Sequence, residues 1–377
     1  MTTVGIAIVG FGWMGRVHAQ AYARVPHHFP DAPRTDLVAV ADDVPGRAEQ
    51  AAAQFGFAGS TQDWRALLDD PRVQAVSITA PNFLHREIGS AFTKAGKHIW
   101  IEKPVGLSPD DARAVDGDVM ISVGFNYRNA PAVEKARALL RDGHIGEVTH
   151  ARFRLFSDYA AHPEGALSWR FQRARGGNGV LGDLASHGVD LVRYLLGEIE
   201  ALVADTAILI PQRPQPTGAT AGHQRGGGEL GPVENEDYVA ALLRMASGAR
   251  VTLEASRVAV GEQNNYGFEI HGTRGALFWD FRRLGELGVS AGPSIADEPV
   301  STVYAGPGDG DYAAFQPGAG IAMGYDDLKV IEAYRFLSSV ADGVPRGATL
   351  ADAVAAAEAL DAMGRSADTG AWVTLTA

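Results

Sequence analysis

Apolar residues in the first third of the chain come in short blocks, each ended by a turn signal. Val4–Val9 is a continuous apolar run closed by glycine, and Leu37–Ala41, Val73–Ile78, His98–Ile101 and Val119–Phe125 repeat the pattern. Runs of this length predict strands buried on both faces, as in a parallel sheet. Between them, Met14–Val25, Gly46–Phe55, Asp63–Leu68 and Phe83–Ala95 read as helices, with Pro26–Pro33 as a Pro-rich insertion. The alternation predicts βαβ units and a doubly wound sheet.

After Tyr127 the rhythm changes. Ala132–Arg141 and Val180–Leu196 read as helices, and Glu147–Phe156 alternates like a half-exposed strand. Ala201–Ile210, Tyr238–Met245, Arg250–Ser256, Tyr266–His271 and Ala276–Phe281 are strand-like with no helix between them, which predicts a mostly antiparallel sheet. Pro211–Glu236 and Ala305–Gly324 read as long Gly/Pro-rich loops, and Asp326–Val340 and Leu350–Ala367 as closing helices. The expectation is an α/β protein of two domains. Residues 1–128 form the domain with the parallel sheet, and residues 129–377 an α+β domain with the mostly antiparallel one. The 377 residues agree, because one core rarely grows past about 250–300 residues.

The formal net charge of -12 disfavours nucleic-acid and anionic membrane partners. Cysteine is absent, which removes disulfides, thiolate nucleophiles and Cys-ligated metals. No apolar run reaches the roughly 18 residues of a membrane helix. The N-terminus lacks a basic region and a long apolar run, so a cytoplasmic location is expected. Only five of the 33 basic residues are lysines, a weak sign that each lysine serves a purpose arginine would not.

Gly10-Phe11-Gly12-Trp13-Met14-Gly15 follows the first strand and opens a helix. Gly10 allows the tight turn, Gly12 the approach of a pyrophosphate, and Gly15 close helix–strand packing, while the helix N-terminus offers free N–H groups. Asp42 ends the second strand, where a carboxylate can accept ribose hydroxyls and repel a 2′-phosphate. Positions 41–44 hold no arginine, so NAD is favoured over NADP. Lys103 follows the strand ending at Ile101, where doubly wound folds bind ligands; there it can polarise a substrate oxygen, or pair with Glu102. Asp183, His187 and Asp190 are spaced i, i+4, i+7 among apolar residues, so they share one helix face. A general base beside a carboxylate, a surface ion pair and a metal site all fit that spacing, the last with no further ligand cluster in view. Arg170 can face a phosphate or polyol, or stack on Trp169. His18 and His85 read as structural or cofactor-side residues.

The segments GFGWMGRVHAQAY (10–22), APNFLHREI (80–88), AGKHIWIEKP (95–104), VGFNYR (123–128) and SWRFQRARGGNGVLGDLASHGVDLVRYLLG (168–197) resemble the glucose–fructose oxidoreductase/inositol dehydrogenase (Gfo/Idh/MocA) family through nearly the whole chain. Within it they look most like the sugar and cyclitol dehydrogenases, the levoglucosan and inositol dehydrogenases among them. The resemblance implies an N-terminal Rossmann domain, a C-terminal domain with a large open sheet, and a homodimer or homotetramer. It implies Lys103, Asp183 and His187 as the catalytic set. Tyr127, Trp169 and Asp190 join these three as substrate contacts. Gly10, Gly12, Trp13, Met14, Gly15, Asp42, Ala80, Asn82, His85, Glu102, Lys103 and Arg170 are implied on the NAD side, and no metal. The expected activity is oxidation of a secondary hydroxyl of a sugar, anhydrosugar or cyclitol. An NAD-dependent glycosidase and a non-catalytic NAD-sensing regulator are the alternatives. One departure stands out: only 19 residues separate Pro104 from Gly124, where the family usually has a longer helix.

Overall fold

All five expected strands of the first third form, and each lies parallel to its neighbours. The computed structural model describes residues 2–218 and 224–375. In it β1 (Thr3–Val9), β2 (Arg34–Ala41), β3 (Gly59–Thr61), β4 (Ala75–Ile78), β5 (His98–Ile101) and β6 (Ile121–Val123) form one sheet. The order is β3-β2-β1-β4-β5-β6, with every pair parallel. The strand order reverses at β1, so the crevice at its carboxyl end is where such a sheet takes ligands. Gly10 stands at that point.

The helices of this half are α1 (Trp13–His28), α2 (Arg47–Phe55), α3 (Asn82–Lys94) and the short α4 (Pro109–Arg113). The expected stop of α1 before Pro26 is corrected, because the helix runs through Pro26 to His28. A proline in the last turn forfeits only its own hydrogen bond. Phe29 N–H still closes on the Val25 carbonyl at 2.8 Å, and its ring stacks on Tyr334 at 3.8 Å. The short Pro104–Gly124 connection keeps one helical turn, α4, and docks on α3. Val105, Ala112 and Val115 are buried, and Ser90 Oγ donates to the Ala114 carbonyl at 2.7 Å.

The second half begins with α5 (Pro131–Arg141) and β7 (Val148–Phe156), followed by the single turn α6 (Arg173–Gly176) and α7 (Ser186–Leu196). Then come β8 (Ile199–Ala207), β9 (Gln212–Pro214), β10 (Leu230–Pro232), β11 (Tyr238–Met245), β12 (Arg250–Ser256), β13 (Asn265–Gly272), β14 (Gly275–Asp280), β15 (Glu286–Ala291) and β16 (Ser301–Tyr304). The chain closes with α8 (Tyr325–Asp342), α9 (Leu350–Thr369) and β17 (Val373–Thr374). Nine strands make one sheet in the order β16-β15-β14-β13-β7-β12-β11-β8-β17. Only β7 and β12 pair in parallel. The expected loop Pro211–Glu236 contains a small hairpin, β9 with β10, and its residues 219–223 lie outside the described residues.

Two compact units result. One runs up to Asn129 and includes Met323–Ala355; the other is Ala130–Ala322 with the chain from Ala356 onward. The sequence reading placed all of 129–377 in the second domain; α8 instead packs with the first. Its Leu328, Ile331, Phe336 and Leu337 are buried, and Phe336 lies 6.3 Å from the Trp100 ring of β5. An amphipathic helix buries its apolar stripe wherever a complementary face exists, whatever the distance along the chain.

Candidate functional site

In the first unit the site starts at the glycine turn. Gly10 has φ +86°, and a Cβ on it would lie 2.6 Å from the Ala80 nitrogen, so only glycine fits. A Cβ on Gly15 would lie 2.4 Å from the Gly10 carbonyl oxygen. Gly12 differs: a Cβ there meets nothing within 4 Å. It caps α1 with no side-chain hydrogen bond, and no acidic residue sits in the first turn. The N–H groups of that turn therefore face open space with positive potential, which fits a dinucleotide pyrophosphate. Trp13 is largely exposed and stacks on Tyr325 at 5.6 Å, while Tyr325 O–H donates to the Met14 sulfur at 3.7 Å.

Asp42 is buried and holds this turn. Its Oδ2 accepts the Phe11 N–H at 2.6 Å and its Oδ1 the Val44 N–H at 2.9 Å. Arg47 Nη1 reaches Asp42 Oδ1 at 3.2 Å and Oδ2 at 3.4 Å, so each carboxylate oxygen carries two donors and ribose hydroxyls would take the place of Arg47.

Two further strand ends complete the unit. His85, near the start of α3, is buried with a carbonyl oxygen at each ring nitrogen, Ala80 at 2.7 Å from Nε2 and Pro104 at 2.8 Å from Nδ1; the neutral ring has one N–H and donates to one of them. Burial pushes its pKa down. Asn82 opens the same helix and is half-buried, as is Lys103. Glu102 turns into the interior, where its Oε1 accepts from His18 Nε2 at 3.0 Å and from Lys329 Nζ at 2.5 Å. Lys329 also donates to Glu332 at 2.7 Å. Burial, helped by the nearby Lys329 charge and opposed by Glu102, pushes His18 down to about 4, so it is neutral at pH 7. With Nε2 donating, Nδ1 accepts from Ser77 Oγ at 3.1 Å, and Ser77 in turn accepts from Tyr22 O–H at 2.9 Å. Burial opposes the charge on Glu102, but Lys329 and His18 outweigh it and hold the carboxyl well below its usual range. Tyr127 is buried in the helical turn Asn126–Asn129 of this unit.

The second unit holds Asp183, His187 and Asp190. The expected continuous α-helix is corrected: Leu181–Ala185 is a π-helical turn, and α7 starts only at Ser186. Such widened turns concentrate at functional sites. Here the turn rests on a buried polar frame. Val180 N–H donates to the Glu236 carbonyl at 2.8 Å and Leu181 N–H to Glu236 Oε1 at 3.0 Å. Asn235 donates to the Gly177 carbonyl at 3.1 Å, and Arg257 ties Asn235 Oδ1 at 2.9 Å to Asp237 at 2.7 Å. A Cβ on Gly179 would lie 2.1 Å from the Glu236 carbonyl oxygen, so this close approach needs the glycine. Asp183 accepts a hydrogen bond from Tyr159 O–H. Burial and then the Asp183 charge raise the Tyr159 pKa well above its ordinary value, and both also raise that of Tyr266. Tyr159 is therefore a fixed donor. His187 and Asp190 are buried on α7. Trp169 is half-buried, and the exposed Arg170 guanidinium stacks over its ring at 4.6 Å.

Sequence reasoning missed Tyr159, Asn235, Glu236, Asp237, Arg257 and Lys329. The run Asn235-Glu236-Asp237 entering an apolar strand was the one local signal among them.

Two family models match the chain: an oxidoreductase family with NAD-binding Rossmann fold over residues 4–117, and the GFO/IDH/MocA C-terminal domain over residues 133–278. Levoglucosan dehydrogenase of Pseudarthrobacter phenanthrenivorans is 39% identical, covering 99% of this chain and 98% of its own. Inositol 2-dehydrogenase of Rhizobium meliloti is 30% identical, covering 86% and 92%. A solved levoglucosan dehydrogenase in complex with NADH and levoglucosan superposes with a TM-score of 0.93 at 37% identity over 100% of both chains. No helix of the described residues is long and apolar enough to cross a membrane. A glycine turn open to a pyrophosphate, both domain models in sequence order and relatives matched over nearly the full length lead to one conclusion: the chain belongs to the GFO/IDH/MocA family of NAD-binding oxidoreductases.

Proposed function

We propose that the protein is an NAD-dependent dehydrogenase that oxidises a secondary hydroxyl of a sugar, anhydrosugar or cyclitol to a ketone. The observation that carries the substrate class is the match to a levoglucosan dehydrogenase over 99% of this chain, joined to a buried His187 four residues after Asp183. Bound NAD supplies the hydride acceptor. Gly12 and the α1 N-terminus bind the pyrophosphate, and Asp42 the adenosine ribose. His187 takes the hydroxyl proton as general base. Asp183, held by Tyr159, orients the imidazole and stabilises its charged form. Lys103 donates to the same substrate oxygen and lowers its proton affinity. Tyr127, Trp169 and Asp190 line the substrate.

The test is a screen of levoglucosan, myo-inositol and related polyols with NAD at alkaline pH, following NADH formation by wild type and Lys103→Ala. The expected result is turnover on one of them and a loss of about a hundredfold or more in the variant, the range for a positioned acid–base group. Equal turnover by the two proteins refutes the assigned roles. Product release without net NADH would instead point to a glycosidase that oxidises and then reduces its substrate.

A further inference from the structure

Lys329 is completely buried, and no step of the proposed chemistry uses it. It reaches Glu102 from α8, placing its ammonium 2.5 Å from Glu102 Oε1, 2.7 Å from Glu332 Oε2 and 5.5 Å from the centre of the Trp100 ring. Glu102 immediately precedes Lys103 at the carboxyl end of β5. The space for its carboxylate is made by Gly124, where a Cβ would lie 2.7 Å from all three carboxyl atoms. A buried ion pair adds little stability over a well-packed apolar replacement, yet it tolerates only one arrangement. Here that arrangement fixes the residue before Lys103. The residue after it is held as well, since the Pro104 carbonyl oxygen lies against the buried His85 ring, 2.8 Å from Nδ1. The catalytic lysine thus leaves the strand between two buried anchors, and one of them comes from the distant α8.

We infer that Lys329 is a positioning residue which, through Glu102, aims the Lys103 amine at the substrate oxygen. The inference rests on the catalytic role of Lys103 proposed above. The double variant Lys329→Met/Glu332→Gln removes one charge of each sign and leaves Glu102 with His18 as a partner, so the protein keeps a way to satisfy the carboxylate. Two readouts follow it, in wild-type and Lys103→Ala backgrounds. The first is NMR of the protein after reductive 13C-methylation of its accessible lysines, with the Lys103 signal assigned by its loss in Lys103→Ala. The second is kcat, KM and the NADH Kd with the polyol found in the screen.

The Lys103 signal should move toward those of the exposed lysines. kcat should fall about ten- to hundredfold, as expected for a reacting group displaced by about 1 Å. The NADH Kd should hold within about twofold, and the same two substitutions should cost less than about twofold once Lys103 is alanine. An unmoved Lys103 signal, or an equal loss of kcat with and without Lys103, overturns the inference. A displaced signal together with full turnover in Lys103→Ala would sink the assigned chemistry and leave the clamp standing.

Discussion

Replacing Gly12 by alanine adds a methyl group where no protein atom lies within 4 Å. Its φ of -76° is open to any L-residue. The free protein should therefore keep its stability within about 0.5 kcal/mol, or gain slightly, because alanine restricts the unfolded chain. Gly15→Ala is the control. Its Cβ would lie 2.4 Å from the Gly10 carbonyl oxygen and 3.2 Å from both the Phe11 ring and Thr79 Oγ1. Overpacking of that kind costs about 1–3 kcal/mol. For Gly12→Ala the cost should appear in binding instead, since the new methyl stands where a pyrophosphate approaches the α1 N–H groups. Losing one hydrogen bond to a charged group costs about 1.5–3 kcal/mol. That corresponds to about a ten- to hundredfold rise in Kd. Urea denaturation of the free proteins, followed by tryptophan fluorescence, measures the first quantity, and titration with NADH the second. NADH at about 100 Kd protects the wild type by about 2.7 kcal/mol, and Gly12→Ala should lose about 1.3–2.3 kcal/mol of that at the same concentration. A Gly12→Ala protein that binds NADH like wild type, or melts as early as Gly15→Ala without it, refutes the reasoning.

Tyr159→Phe removes the donor to Asp183. With one donor fewer, the Asp183 carboxylate should stabilise the His187 imidazolium more strongly, so the acid limb of the kcat–pH profile should move to higher pH; an unmoved limb would show that Tyr159 does not act on this pair. His18 sits at about 4 in the folded protein against about 6.5 in the unfolded chain. Below pH 6.5 the unfolded state takes up a proton that the folded state does not, so stability is full above that pH and falls by about 3 kcal/mol toward pH 4. Burial opposes the charge on Glu102, but its depressed pKa adds a further loss in the same direction at lower pH. Urea midpoints measured between pH 7 and 4 should fall less steeply in His18→Gln than in wild type; parallel curves would contradict the assignment of His18 as a buried neutral group.

Much of the first unit was legible in the chain because its determinants are local. A strand covered on both faces must be apolar throughout, and a phosphate-binding turn must be glycine at fixed offsets, so β1, β2, β4 and β5 and the Gly10–Gly15 turn could be read directly. The spacing of Asp183 and His187 singled out both residues, though not the widened turn that carries Asp183. The strands β15 and β16 were not, because half-exposed sequences such as Ser301–Tyr304 carry little apolar pattern.

The rest depended on partners far away in sequence. Pro26 stays helical at the end of α1, where Phe29 stacks on Tyr334. The turn at Leu181–Ala185 widens over a polar frame drawn from Asn235–Asp237 and Arg257. Lys329 meets Glu102 across 227 residues. Hydrophobic period and turn chemistry are written in neighbouring residues. The desolvation of a charge, and the one partner that makes it tolerable, exist only after the chain has folded.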